Sequence, residues 1–595
     1  MFENIKTTPQ EIFSEYRAGV DYKSSMGDKG LYEQTKLNER FYVGDQWYGV
    51  SAGNSRPLVR RNIIKRIGEY KLSAIGAVPI AVNYSADGIP DTHDLSAAEN
   101  VKCDIESDGL ETRAEVTIPD AVEISVVMNQ LSNYFSVTAE RLRLKGLCEM
   151  ILRNAYISGT GFLYTYWDPT VETGLYADRK ATCAIRGDII SEVLDVENVN
   201  LGEPNNFDMQ SQPFIIISQR KTLGEVKRMA TLYHQKSDDI KPDDAAALNL
   251  NSGDRGESEP DDSQRVTVLT KFWKEYDKSG KVARLMGITV TENAVIRPQW
   301  DLKVKMYPLA KFCWERRRSC GYGDSEITYL IPNQIAINRA LTAAVWATMN
   351  AGMPKILVNG DIVGNAITND PGQVITVNGG DGDVRNAVHY LQPPAFAEQF
   401  EALVNDMAVN TMSDCGANDA ALGNLRPDNA SAIIQVREAA LQPMQMYQNR
   451  YYDFVEDVAR IWADFWLNLY GDRSLKIKDE KGVYYVPFSA DRYKNLIINA
   501  NIDVGASALW SESVVIASLD GLLKAGLITF RQYLERVPKG LIPNIEGLLE
   551  SIRNKEAKES LGDDGAEKGD TLADGGNGVD IKLPDAITNS MEATK

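Results

Sequence analysis

Residues 8–40 carry helix-like spacing, and NERFYVGDQW (38–47) then turns at Gly44. Pro57 is placed to open a second helix over roughly 58–76, where Ile63, Ile64 and Ile67 alternate with Arg60, Arg61, Lys65 and Arg66. A third long helix is expected from about Val137 to Ser158, with Leu142, Leu144, Leu147, Ile151 and Leu152 on its apolar face. It ends at SGTG (158–161), and FLYTYW (162–167) follows as a strand. FIIIS (214–218) and VTVLTKFW (266–273) read as strands, and 222–233 as a helix with Thr222 as its N-cap. Residues 235–265 form a polar stretch without aromatics, expected to be a mobile surface loop because it buries too little to offset its ordering entropy.

The central run carries the most information. Residues 325–350 predict a helix of about seven turns, roughly 40 Å long at 1.5 Å per residue. Ala343, Ala344, Ala347, Ala351 and Gly352 leave one end open to close helix neighbours, and Pro354 ends it. Two short strands are expected next, KILV (355–358) and QVITV (373–377), separated by turns rich in Asp and Gly. A helix over about 395–413 follows, then a loop rich in Gly, Asn and Pro at 416–430. A helix of over 40 residues, from about Ala430 to Tyr470, is interrupted by Pro443, which removes a hydrogen bond and kinks the axis. Hairpin-like strands at 475–486, a strand at 496–504 and helices over roughly 511–553 complete the pattern. Residues 555–595, with ten acids against five bases and no aromatic, are expected to be a disordered tail.

The 595 residues exceed one ordinary core, so two to four domains are expected. Apolar residues at 43% supply sizeable cores. The formal charge of −19 argues against nonspecific coating of nucleic acid, which relies on Lys and Arg neutralising phosphate, but it leaves DNA open as a cargo in a repelling channel. The six cysteines (Cys103, Cys148, Cys183, Cys313, Cys320 and Cys415) include no Cys-x-x-Cys pair and read as a reduced inventory. The N-terminal residues lack an apolar signal core, and no apolar stretch reaches the roughly 20 residues that span a bilayer. A soluble protein with no membrane association, used without secretion, is expected.

Enzyme chemistry is faint. No phosphate-binding GxxxxGK[ST] loop, dinucleotide GxGxxG after a strand, or Gly-x-Ser-x-Gly elbow occurs. His93 between Asp91 and Asp94 has the makings of a metal set but fits a solvated loop better. Asp381 and Asp383 in NGGDGD resemble the start of a calcium loop, yet Arg385 stands where a ligand belongs, so a turn is the better reading. No cofactor and no metal are expected. The stripe Tyr447, Tyr451, Tyr452, Phe454, Trp462, Phe465 and Trp466 has the spacing of packed core or subunit interface. The basic cluster Arg56, Arg60, Arg61, Lys65, Arg66 and Lys71 fits either DNA contact or pairing with surplus acids. The triplet Arg316–Arg318 fits phosphate contact, a basic face on a ring-facing loop, or a salt-bridged surface.

Four stretches resemble the portal proteins of tailed bacteriophages: NERFYVGDQW (38–47), RPLVRRNIIKRIGEYKLSAI (56–75), YGDSEITYLIPNQIAINRALTAA (322–344) and NASAIIQVREAALQPMQMYQNRYYDFVEDVARIWADFW (429–466). The resemblance covers about residues 8–550 and rests on the order of elements. It implies an α+β, predominantly helical portal fold with wing, stem, clip and crown in a ring-forming subunit. Laid on that order, 1–324 is the first part of the wing, 325–351 a stem helix, 352–394 the clip and 395–414 the second stem helix. A tunnel loop then takes 415–430, the rest of the wing 431–504, the crown 505–554 and the acidic tail 555–595.

The implied function is a ring, usually of twelve copies, at one capsid vertex of the virion, assembled in the host cytoplasm. It is the channel through which double-stranded DNA is packaged and ejected. The implied partners are further copies of the chain, the terminase large subunit, the head-tail adaptor, and the major capsid and scaffolding proteins. Asn424, Arg426 and Asn429 on the tunnel loop are the candidates to meet DNA, although ordinary turn chemistry also accounts for them. Asp381, Asp383 and Arg385 are the candidate docking turn of the clip, and Pro443 the kink that aims the loop. A different phage ring or minor capsid protein is the alternative reading, and a phage nucleic-acid enzyme a third.

Overall fold

A computed structural model gives the structure. It describes residues 7–51, 57–77, 80–86, 121–176, 184–242, 265–276, 280, 282–352, 356–358, 363, 374, 376, 388–390, 397–417, 442–479, 482–493, 498–502, 519–526, 528–530 and 533–534. The chain divides into two units, Met1–Val504 and Gly505–Lys595. Among the described residues 49% are helical and 28% strand, a mixture that fits the α+β class.

The N-terminal helical span is two helices rather than one. Helix α1 (Pro9–Ser24) starts on a capping box, in which Thr8 and Glu11 satisfy each other's backbone N–H groups, with Pro9 in its first turn. Helix α2 (Gly30–Val43) ends at Gly44, whose φ of 96° closes it as the sequence predicts. Between them the chain turns through Gly27 and Gly30, both at positive φ. A Cβ at Gly30 would lie 2.4 Å from the Ser24 carbonyl oxygen, so only glycine fits there.

Helix α3 (Ile63–Gly76) begins later than Pro57 suggests. Its N-cap is Asn62, whose side chain accepts the Lys65 N–H at 3.1 Å. Residues 57–62 are not helical. The third expected helix is also divided. Helix α4 (Ala121–Leu142) and helix α5 (Leu144–Ser158) meet at Arg143, which has a φ of 53°. Gly159, at φ 88°, caps α5 where SGTG predicts an end.

Strand β1 (Val82–Ala86) is the first of the sheets, and pairs with a strand at the far end of the unit. Strands β2 (Thr160–Tyr176) and β3 (Ala184–Asp195) form a long hairpin directly after α5. Strands β4 (Val199–Leu201), β5 (Phe214–Thr222), β6 (Arg265–Tyr276), β7 (Val282–Val290) and β8 (Val295–Asp301) build a five-stranded antiparallel sheet in chain order. Helix α6 (Leu223–Leu232) follows β5, with the Thr222 side chain accepting the Glu225 N–H, as expected. The polar stretch after it is not wholly loose: Ile240 is buried with Val226, Val266 and Ile296. The rest of that stretch, 243–264, lies outside the described residues. Strand β9 (Leu309–Cys313) returns to pair with β2.

Helix α7 (Glu326–Gly352), strands β10 (Ile356–Val358) and β11 (Val388–Tyr390), and helix α8 (Ala397–Asp414) form the central excursion. Helix α9 (Gln445–Leu469) follows, then strands β12 (Asp472–Asp479) and β13 (Gly482–Ser489), paired as a hairpin, and β14 (Ile498–Ile502), the partner of β1. The aromatic stripe of α9 is core. Tyr451, Phe454, Trp462, Phe465 and Trp466 are buried, and Trp462 meets Phe135 of α4 at 5.1 Å between ring centroids.

One buried cation carries a pH signature. Lys23 is fully buried at the end of α1, donating to the carbonyls of Val196 and Glu197 at 2.8 and 3.1 Å. Burial lowers its pKa from 10.5 to about 7. Between those values the unfolded chain holds a proton that the folded chain does not, so stability rises with pH in that window. Below it both states are protonated and the folded state carries the full cost. The stability of the wild type relative to Lys23→Met should therefore climb from pH 7 to pH 10, by up to about 1.4 kcal/mol per unit. Urea unfolding at three pH values checks this, and a flat difference contradicts it.

Candidate functional site

The excursion α7–β10–β11–α8 is built as a helical hairpin. Asn333 of α7 donates to Thr411 of α8 at 3.3 Å, while Ile337, Ala340 and Leu341 pack with Val404, Met407 and Ala408. Rising numbers on one helix meet falling numbers on the other, so the two run antiparallel. Among its members, Met349, Leu403 and Val409 are 44%, 49% and 48% exposed. Residues 341–347 of α7 are only half-buried. The hairpin therefore holds apolar surface that a single chain leaves uncovered.

The strand pair at its far end differs from expectation. β10 pairs antiparallel with Val388–Tyr390, in the register Ile356 to Tyr390, while of the expected strand 373–377 only 374 and 376 are described, neither of them in a strand. Val374, within that expected strand, is 78% exposed. The three-residue partner strand VHY was too short to show in the pattern.

A polar stripe fastens the hairpin to the body. Gln334, Asn338 and Thr342 recur every four residues on one face of α7. Beside them runs the non-helical segment before α3. Thr342 Oγ1 accepts the Val59 N–H at 3.2 Å, Asn338 Oδ1 the Arg61 N–H at 3.1 Å, and Gln334 Oε1 the Ile63 N–H at 3.0 Å. Gln334 Nε2 also donates to the Arg61 carbonyl at 2.7 Å, and Asn338 Nδ2 to Gln46 at 2.6 Å. Two residues of extended chain advance about 6.6 Å and four of helix about 6 Å, so the ladder stays in step. This explains why 57–62 is not helical: α7 side chains occupy the alternate amides.

The basic cluster is dispersed by this packing. Lys71 is buried against Glu326 at 2.6 Å, and Lys65 pairs with Glu69 at 3.7 Å on the surface. The Arg61 guanidinium reaches Asn405 of α8 at 2.9 Å, and Arg60 donates to the Gly44 carbonyl. Arg56 lies outside the described residues. In the triplet, Arg316 pairs with Asp453 and Arg317 with Asp324, each at 3.4 Å, which is the salt-bridged alternative for those two.

Pro443 sits in a 3-10 turn, Gln442–Met444, and the helix after it starts at Gln445. Residues 418–441 lie outside the described ones, so the helix expected over 430–470 is described only after the proline. Asn424, Arg426 and Asn429 fall in that stretch, and Asp381, Asp383 and Arg385 in another outside the described residues. Their roots are described. A Cβ at Gly416, beyond α8, would lie 3.3 Å from Pro443 Cβ. The chain thus leaves at Ala417 and returns at Gln442 side by side, with Ala417 and Met444 both buried.

Among the described residues no group of His, Cys, Asp or Glu is placed to hold a metal ion, and no helix is long and apolar enough to cross a membrane. Residues 176–472, about half of the chain, match the family described as the phage SU10 portal protein. The match runs from the end of β2 to the start of β12, and so includes the five-stranded sheet, the hairpin and α9. Among curated proteins none matches the chain.

Proposed function

This chain belongs to the phage portal proteins, and from that premise we propose that it closes into a ring at one capsid vertex and forms the passage for duplex DNA. The observation that carries the proposal is the hairpin: a helix out, a strand pair, and a helix back, with apolar surface left over for a neighbouring copy. In this reading α7 and α8 are the stem and 352–394 the clip. Residues 1–324 and 431–504 form the wing, and 505–554 the crown. A heterologous ring, most simply of twelve copies, covers the exposed Leu403 and Val409. Strands of three residues gain partners by completing a sheet with the next subunit.

The charge of −19 per copy fits a passage whose walls repel phosphate, with contacts kept weak so that DNA slides. Residues 415–430 are assigned as the tunnel loop. Asn424, Arg426 and Asn429 face the DNA backbone, and Pro443 sets the direction in which the chain returns to α9. The turn of Asp381, Asp383 and Arg385 docks the terminase large subunit during packaging and the head-tail adaptor afterwards. The ring is assembled in the host cytoplasm, with the major capsid and scaffolding proteins around it.

Charge reversal at Asp381, Asp383 and Arg385 together should leave rings intact and block packaging or head completion. Arg426→Ala should leave assembly normal and change DNA retention modestly, since each ring loses only one weak phosphate contact per copy. Both are read by packaged DNA per particle and by infectious titre. Normal titre in the clip variant overturns the docking assignment.

A further inference from the structure

Where α8 ends and α9 begins, two charges are buried together. Lys71, on α3, meets Glu326, the first residue of α7, at 2.6 Å, with side chains 3% and 11% exposed. The other oxygen of Glu326 accepts the Trp314 indole N–H at 3.1 Å. Cys415, one residue beyond α8, lies within electrostatic reach of the same carboxylate: burial first, and then Glu326, raises its thiol pKa. On the far side Lys71 Nζ lies 5.0 Å from the ring centroid of Tyr447, in the first turn of α9. The Tyr447 hydroxyl donates in turn to Glu315, which is also within 3.4 Å of Arg450. Four elements converge here, and each contributes a polar or charged group to one connected set.

We propose that Lys71 and Glu326 are the pin of a joint that locks the end of α8 to the start of α7, so that the hairpin meets the body of the subunit as one closed unit. A buried pair of this kind adds little net stability over an apolar filling. Removing one partner, however, strands the other charge away from water, and the local structure then opens to rehydrate it. With Lys71 neutral, Glu326 recovers water only by parting α3 from the α7–α8 root. That same opening frees Cys415. The hydrogen-bonded stripe farther along α7 does not replace the pin, because Gln334, Asn338 and Thr342 hold the segment 57–63, and the bond from α7 to the last turn of α8, Asn333 to Thr411, stops short of Cys415. That the hairpin held by this joint is the stem of a DNA passage rests on the function proposed above.

Cys415 supplies the readout. The full-length protein is labelled with a small maleimide, and the rate at each cysteine is followed by peptide mass spectrometry. Lys71→Met should label at Cys415 about tenfold faster than wild type or more, through local opening. Cys148 on α5 and Cys313 on β9, both buried, should keep their wild-type rates. Simple electrostatics predicts the opposite sign, since losing the Lys71 cation makes the neighbouring thiol harder to ionise. Where Lys71→Met does not fold, Lys71→Gln, which keeps a donor for Glu326, carries the same test. An unchanged or slower rate at Cys415 overturns the joint, and so does an equal rise at all three cysteines. Labelling involves no DNA, so a fast Cys415 together with unaltered packaging keeps the joint and removes its link to the stem assignment.

Discussion

Trp462→Ala should destabilise the first unit by about 3–5 kcal/mol, the cost of truncating a large aromatic in a close-packed core. Trp462 is fully buried in α9. Its indole N–H donates to Thr165 of β2 at 3.3 Å, and Thr165 shares a 2.9 Å hydrogen bond with Ser191 of β3. Its ring packs on Phe135 of α4 and lies 6.2 Å from Trp466. One side chain therefore joins two helices to the long hairpin, and alanine leaves both a cavity and a hydroxyl short of one partner. Domains are stable by only about 5–15 kcal/mol, so the loss is a large fraction of the whole. Urea unfolding checks it, with Tyr485→Ala at an exposed position as control. A loss below about 1 kcal/mol would contradict the packing described, since such small effects belong to surface positions.

The second large effect is on assembly. Met349→Glu combined with Leu403→Glu places two charges on exposed apolar positions of the α7–α8 hairpin. In a single chain both side chains reach water, so folding should survive with a stability change within about 0.5 kcal/mol. In a ring the same positions face a neighbour, and burying unpaired carboxylates costs several kcal/mol at every interface. The double variant should be folded and monomeric by light scattering where the wild type is a closed oligomer.

The sheets and helix caps were largely legible in the sequence. FIIIS and VTVLTKFW are apolar runs with no competing helical period, and they lie in β5 and β6. Gly44, Gly159 and Thr222 terminate or start helices through local chemistry that needs no distant partner. The helix breaks at 57–62 and at Arg143 carry less local signal. Arg143 adopts a positive φ without being glycine or asparagine, and nothing in its neighbourhood announces it. Pro57 suggests a helix start that the fold does not use, because the amides of 57–62 are claimed by side chains more than 270 residues away.

The same limit governs the site. Lys71 counts as one of six basic residues until Glu326 is seen beside it, 255 positions later in the chain. Gln334, Asn338 and Thr342 leave a trace, being polar at every fourth position of α7, and that period marks a face with a hydrogen-bonding duty. Arg426 and Asp381 stand in stretches rich in turn residues, where local preference accounts for the composition and only the family resemblance supplies a role.

The central claim is that this chain closes into a ring around a passage for DNA, and electron microscopy of the purified full-length protein at micromolar concentration tests it most directly. The account predicts closed rings seen end-on with a central hole, with α7 and α8 of adjacent copies packed side by side around it. Particles that are uniformly single chains under those conditions, and in procapsids as well, would contradict it.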